Sequence, residues 1–219
     1  MTDSRTAMAN ELLPELRAYV ADRITEFGQI PTARREELAE LARFLAERRT
    51  AERPARLTFI CTHNSRRSHL GQLWAAVAAV HYGIEHVETH SGGTEATAFN
   101  PRAVAALQRA GFRIESEGAA ENPHYEVTFT ASGPPSICFS KQYDAAPNPQ
   151  TDFAAILVCT SADAACPTVP GAAFRLALPY EDPKLADDTP AEATRYDERT
   201  AQIGREMLYA FSDAAPGAR

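Results

Sequence analysis

The stretch Leu57–Ala76, LTFICTHNSRRSHLGQLWAA, joins an apolar run to a cysteine, a polar loop and an amphipathic tail. Short apolar runs that end in a polar turn read as buried strands, here 57–60, and the tail reads as a helix from about Ser68 to Tyr82. Five residues separate Cys61 from Arg67, enough to wrap a ring. Backbone N–H groups in such a loop face inward as a nest for a tetrahedral oxyanion, and the helix start adds its positive dipole end. The expected ring is Thr62, His63, Asn64, Ser65, Arg66, Arg67 and Ser68. The same field draws a thiol of ordinary pKa, roughly 8.5, toward the attacking thiolate. Arg67 is expected to hold two oxygens bidentately, Ser68 to donate to the sulfur, and Asn64 to pin the loop. Arg66 either deepens the positive field or is a solvated charge. His63 and His69 have no cysteine or carboxylate at ligand spacing nearby, so no metal site is expected.

Outward from this stretch, short apolar runs alternate with amphipathic segments, the pattern of a parallel α/β sheet. Strands are expected at about 86–90, 154–159 and 174–178, with a further candidate at 125–129. In NPRAVAALQRAG, Asn100 suits a helix cap, Pro101 the first turn and Gly111 the exit. A last helix is expected from TPAE, with Thr189 and Glu192 as a capping box, Pro190 at the first position, and Tyr196, Ile203, Met207 and Phe211 facing inward. The Pro-, Gly- and Ser-bearing stretch from Glu115 to Asp152 reads as a lid or mobile loop.

Before the sheet, Leu12, Leu16, Val20, Ile24 and Phe27, then Leu38, Leu41 and Leu45, fall at helical spacing on either side of GQIP. These residues predict a helical hairpin, with Gly28 ending the first helix and Pro31 preceding the second. The polar linker ERRTAERPAR places a boundary near Pro54. The expected organisation is an extension over 1–54 and an α/β catalytic domain over 55–219, a four-stranded parallel sheet flanked by helices. Whether the hairpin packs on the core or mediates self-association is left open, as is the oligomeric state.

The chain has 22 basic and 29 acidic residues, a net charge of −7, which opposes contact with nucleic acid or an anionic membrane. No apolar run approaches the roughly 18 residues of a membrane span. The start, MTDSRTAMANELLPEL, does not read as a secretory signal, so a cytoplasmic location is expected. Four cysteines, Cys61, Cys138, Cys159 and Cys166, suggest thiol chemistry in a reducing compartment more than structural staples.

The run FICTHNSRRS, followed by SGGTEATAFNPRAVAALQRAGF and later EDP, resembles the low-molecular-weight protein-tyrosine-phosphatase superfamily, including its thioredoxin-coupled arsenate reductase branch. The resemblance spans about Leu57–Phe211, and the chain is also similar to the larger bacterial members that carry an N-terminal extension. It implies Cys61 as nucleophile, Arg67 as oxyanion clamp and Asp182 of EDP as general acid. Asp182 follows a predicted strand, where a loop can carry it over the nucleophile. Glu181 is the competing acid, and Asp187 and Asp188 read as solvated loop charges.

In AILVCTSADAACPTVPG, Cys159 sits at a strand end and Cys166 seven residues on, about 10 Å along a helix and beyond disulfide reach unless the segment unwinds. The arsenate reductase branch is similar here, with a strand-end cysteine, a SxAD turn and a second cysteine before Pro. That resemblance implies a relay in which Cys61 attacks arsenate, Cys159 attacks Cys61, and Cys166 attacks Cys159. No cofactor is implied beyond an external dithiol such as thioredoxin. Cys138 matches nothing and reads as packing, or as a substitute resolving thiol.

Two alternatives stay open. One is a tyrosine phosphatase, freed by hydrolysis of a Cys61 phosphocysteine; the other is a non-catalytic redox sensor or phosphate binder. Tyrosine phosphatases of this type place aromatic residues after Asp-Pro and a large apolar residue in the loop, where this chain has Lys184, Leu185 and Ser65. The reductase pattern is also departed from: Arg66 replaces a cysteine, His63 a glycine, and Gln72 a helix carboxylate of a cation site.

Overall fold

The structure, a computed structural model, describes residues 11–116, 120–166 and 168–217. Readings that fall on residues 1–10, including most of the start tested as a signal, and on Pro167 lie outside the described residues. Two helices come first, α1 (Pro14–Thr25) and α2 (Thr32–Thr50), joined by a 3-10 turn at Phe27–Gln29. Gly28 therefore sits inside that turn and does not end α1, which closes three residues earlier at Thr25.

The chain then enters β1 (Ala55–Cys61), α3 (Arg67–His81), β2 (Val87–Gly93) and α4 (Pro101–Arg109). Three short strands follow, β3 (Arg113–Ser116), β4 (Tyr125–Thr128) and β5 (Ser136–Cys138). The last elements are β6 (Phe153–Leu157), α5 (Thr160–Ala165), β7 (Ala172–Ala177) and α6 (Glu192–Ala214).

The main sheet is parallel in the order β2-β1-β6-β7. Both central strands are covered on two faces, so β6, FAAIL, is buried throughout. α3 packs so closely on β1 that a Cβ on Gly71 would lie 2.5 Å from the Phe59 ring. As expected, Asn100 caps α4 by accepting from Arg102 N at 2.9 Å, and Gly111 leaves it with φ +102.

Three readings of the chain are corrected. The stretch after Glu115 is no lid: β3, β4 and β5 form a second, antiparallel sheet, so the strand near 125 exists but outside the parallel sheet. Pro, Gly and Ser there serve the turns between very short strands. The segment is also tied down, with Asn122 bonding both backbone groups of Ser140 and Asn148 donating to Ser91 O. α6 opens at Glu192, two residues later than the capping box required. Glu192 reaches back to Asp188 N at 2.7 Å, and the Thr189 hydroxyl takes Ala191 N at 3.3 Å. The inward face of α6 is as expected, with Tyr196, Ile203, Met207 and Phe211 buried.

α1 and α2 lie against α6 and contribute to the same apolar core through Leu16, Val20, Leu38, Leu41 and Leu45. Tyr19 stacks on Trp74 and Phe44 on Phe174, with ring centroids 5.5 and 5.1 Å apart. The hairpin therefore packs on the core. Among the described residues no helix is long and apolar enough to cross a membrane.

Candidate active site

Parallel sheets present their chemistry at the carboxyl ends of the strands. Here Cys61 ends β1, Cys159 follows β6, and the segment Tyr180–Asp182 follows β7. The loop 62–66 turns between Cys61 and α3. Its carbonyls are held on the outside: Cys61 O accepts from Thr94 N, Thr62 O from Glu95 N, His63 O from Ser140 Oγ and Ser65 O from Asn100 N. Across a trans peptide the next N–H points the opposite way, so the N–H groups of Thr62, His63, Asn64 and Arg66 point away from these carbonyl partners. A recess at this loop, a cavity of about 10 Å³, is lined by Cys61, Thr62, His63, Ser65, Arg66, Arg67 and Asp182. It lies far below the roughly 300 Å³ at which drug-sized ligand sites begin.

Asn64 is fully buried and left-handed, with φ +44, a conformation Asn tolerates. Its Oδ1 accepts from Lys141 N at 2.9 Å, which fixes the amide, so its Nδ2 donates to Ser68 Oγ at 2.9 Å. The Ser68 hydroxyl, already accepting, has its hydrogen free for Cys61 Sγ at 3.1 Å. A donor aimed at the sulfur from the first turn of α3 stabilises sulfur as an anion. Gly93 makes room for this loop, since a Cβ there would lie 2.6 Å from Thr62 O and 2.7 Å from Asn64 N.

The structure brings Arg67 and Asp182 together over Cys61. Arg67 Nη2 donates to Asp182 Oδ2 at 2.7 Å and Nη1 to Tyr180 O at 2.8 Å. Asp182 also caps the 3-10 helix Pro183–Ala186 by accepting from Lys184 N. Glu181, the competing acid, turns outward to Arg199 and is exposed. Asp188 is a solvated loop charge as expected, paired with Arg102 at 2.6 Å.

Asp187 differs from expectation, and of the two readings of Arg66 the solvated one is not realised. Their side chains are 15% and 12% exposed, and both bond Tyr196. Arg66 Nε donates to Tyr196 Oη at 3.0 Å, and that hydroxyl donates to Asp187 Oδ1 at 2.8 Å. Sequence reasoning placed Tyr196 only in the core; its hydroxyl was the available signal, because a buried phenol needs a polar partner.

Cys159 is the N-cap of α5, its sulfur accepting from Ala162 N at 3.3 Å and lying 3.6 Å from Thr62 Oγ1. Cys166 is the C-cap of the same helix, buried, and burial pushes its thiol up from the ordinary value. All four cysteines are free. Cys138 is buried outside the recess lining, with its thiol pushed up to about 12 by burial.

His63 is half-exposed, 3.7 Å from the Glu95 carboxylate. His69 is buried, stacks on Phe99 at 4.0 Å and meets Ser91 Oγ through Nδ1 at 3.1 Å. Burial, and then the charge of Lys141, lower its pKa to about 3. Among the described residues no group of three His, Cys, Asp or Glu is placed to hold a metal ion.

Residues 56–127 match the family model of the low molecular weight phosphotyrosine protein phosphatases. The chain is 27% identical over 155 residues to an arsenate reductase of Bacillus licheniformis, covering 71% of this chain and 93% of that one. Among solved structures it is similar to a low molecular weight phosphotyrosine phosphatase from Vibrio cholerae, at 15% identity and TM-score 0.47, covering 73% of this chain and 95% of that one. It is also similar to a thioredoxin-dependent arsenate reductase of Corynebacterium glutamicum, at 19% identity and TM-score 0.37, covering 84% of this chain and 80% of that one. The segment that carries the nucleophile loop and the helix behind it is thus similar to the low molecular weight phosphotyrosine protein phosphatases.

Proposed function

We propose that the protein reduces arsenate to arsenite through a relay of Cys61, Cys159 and Cys166. The Cys61 sulfur attacks arsenic, Arg67 exchanges Asp182 for two oxyanion oxygens, and the released Asp182 protonates the departing oxygen. Cys159 then attacks Cys61: a sulfur–sulfur bond forms, the sulfur–arsenic bond breaks, and its electron pair leaves with arsenite. Cys166 attacks Cys159, freeing Cys61, and an external dithiol of the thioredoxin kind reduces the resulting disulfide. Such a cycle suits a reducing compartment such as the cytoplasm.

The observation that carries this reading is the place of Cys159. It follows the strand beside that of Cys61, with its sulfur 3.6 Å from the hydroxyl of the residue after the nucleophile. A hydrolytic cycle needs no second thiol there. An arsenate reductase 27% identical to this chain supports the same reading.

The second reading is hydrolysis of a phosphate ester through a Cys61 phosphocysteine, supported by the match of residues 56–127 to the phosphatase family model; the Arg67–Asp182 pair serves either chemistry. Replacing Cys159 and Cys166 by Ser in turn separates the two. Thioredoxin-coupled arsenate turnover is lost in both variants while hydrolysis of an aryl phosphate persists; arsenate turnover untouched in both removes the relay.

A further inference from the structure

The segment that delivers Asp182 is gripped from behind by the N-terminal extension. Arg34, in the first turn of α2, donates through Nε to Glu206 at 2.8 Å and through Nη2 to Pro179 O at 3.4 Å. Its guanidinium carbon lies 4.7 Å from the centroid of the Tyr180 ring. Tyr180 is buried, and its carbonyl is the one that takes Arg67 Nη1. One guanidinium from the extension thus touches both residues that lead into Glu181 and Asp182.

Glu206 explains why an arginine stands there. It lies on the inner side of α6, only 3% exposed at its side chain, and a carboxylate so placed must be paired. Arg34 supplies the charge through Nε, while Nη1 donates to Glu37 at 2.7 Å, Nη2 bonds the Pro179 carbonyl and the plane stacks on Tyr180. A lysine offers a point charge with neither the second bond in plane nor the stacking face. The opposite side of the segment is held by Arg67, so Tyr180 is clamped between an arginine of the extension and an arginine of the nucleophile loop.

We infer that Arg34 is a positioning residue: the extension sets the place of the acid segment, and through Tyr180 the reach of Asp182 over Cys61. This deepens the proposed function and rests on Asp182 acting as the acid there. The extension is then part of how the acid is delivered and not only a cover for the core.

Two variants separate positioning from folding. Arg34→Lys keeps a charge for Glu206; Arg34→Gln with Glu206→Gln removes both charges and strands no buried carboxylate, the other partner Glu37 being exposed. The first measurement is amide hydrogen exchange over residues 179–186 in the full chain, with α3 as internal reference. Exchange in that segment is expected to rise about tenfold or more in both variants while α3 is unchanged. The second is turnover of aryl phosphates with leaving groups of graded acidity. A misplaced acid lowers kcat most for the poorest leaving group, by about tenfold or more, with KM little changed. Wild-type exchange in both variants overturns the inference, as does a loss equal for every leaving group. A wild-type chain inert toward both aryl phosphates and arsenate sinks the proposed function instead, and the exchange measurement then decides alone whether Arg34 holds the segment.

Discussion

The Nε–H of Arg66 meets the hydroxyl of Tyr196 at 3.0 Å, joining the loop around Cys61 to the long C-terminal helix. The same hydroxyl donates to Asp187, five residues beyond Asp182, so one phenol spans the nucleophile loop and the acid segment. Tyr196→Phe leaves a guanidinium and a carboxylate short of a partner and is expected to cost about 1–3 kcal/mol. Denaturant unfolding measures the loss, and turnover should fall with it. Burial first, then the bond to Asp187, pushes the phenol up to about 12, so it remains a donor at neutral pH. Folded-state stability tied to this group is complete below the ordinary value of 10.0 and is lost as pH rises toward 12. The variant should lack that alkaline slope.

Gly93→Ala is expected to abolish turnover and to destabilise the fold by about 3 kcal/mol or more, as overpacking against fixed atoms does. The new Cβ would lie 2.2 Å from Glu95 O, 2.6 Å from Thr62 O and 2.7 Å from Asn64 N. These are backbone atoms of the loop itself and its neighbour, with no flexible side chain to yield. Thermal unfolding alongside an aryl phosphate assay checks both expectations.

Ser68→Ala removes the hydroxyl aimed at Cys61, which Asn64 orients. A lost hydrogen bond to a charged group is worth about 1.5–3 kcal/mol, so Cys61 alkylation at pH 7 should be slower than in the wild type. Asn64→Asp should also slow it, because a carboxylate cannot donate to Ser68. Mass spectrometry of iodoacetamide-treated protein follows position 61 directly; alkylation at the wild-type rate in Ser68→Ala would show that the hydroxyl does not support the anion.

Acid should weaken the fold through His69. Burial holds its pKa at about 3 against an ordinary 6.5. Above 6.5 the ring is neutral whether folded or unfolded; as pH falls, only the unfolded chain takes the proton. Stability tied to this group is thus present above 6.5 and is lost toward 3, at up to about 1.4 kcal/mol per pH unit. In His69→Gln that portion of the slope should disappear from unfolding free energies measured between pH 6 and 4.

Oxidation of Cys159 to Cys166 should melt α5. The two residues cap opposite ends of a six-residue helix, and the Cys159 sulfur is itself the acceptor for Ala162 N. Joining them consumes that acceptor and requires the ends to close from about 10 Å to under 7 Å. Amides of Ala162, Asp163 and Cys166 are expected to lose protection on oxidation, together with the bonds from Arg175 to Asp163 and to the Cys166 carbonyl. Retained protection in the oxidised protein would refute this.

The parallel strands, the Asn100 cap and the inward face of α6 could be read from the sequence because each rests on local spacing. The nucleophile loop was legible for a related reason: strand, polar turn and helix follow each other without interruption. The burial of Asp187 was not, and Arg66 was left with two readings, since the partner they share is Tyr196, 130 residues from Arg66 and nine from Asp187. The second sheet was hidden because strands of three and four residues are too short to show a period of two. The capping box was misplaced because Glu192 found the N–H of Asp188 before that of Thr189. The grip of Arg34 on Tyr180 joins residues with no shared pattern at all.

Trp74 is the chain's single tryptophan, fully buried on α3, and one of its faces is stacked by Tyr19 of α1. Its other neighbours, Phe112 and the bare backbone at Gly204, belong to the body of the molecule. The indole therefore lies at the seam where the first helix is seated, and its emission is a native gauge of that seating. A red shift that precedes the loss of helical signal during unfolding would mean that the hairpin lifts away while the sheet beneath is still intact.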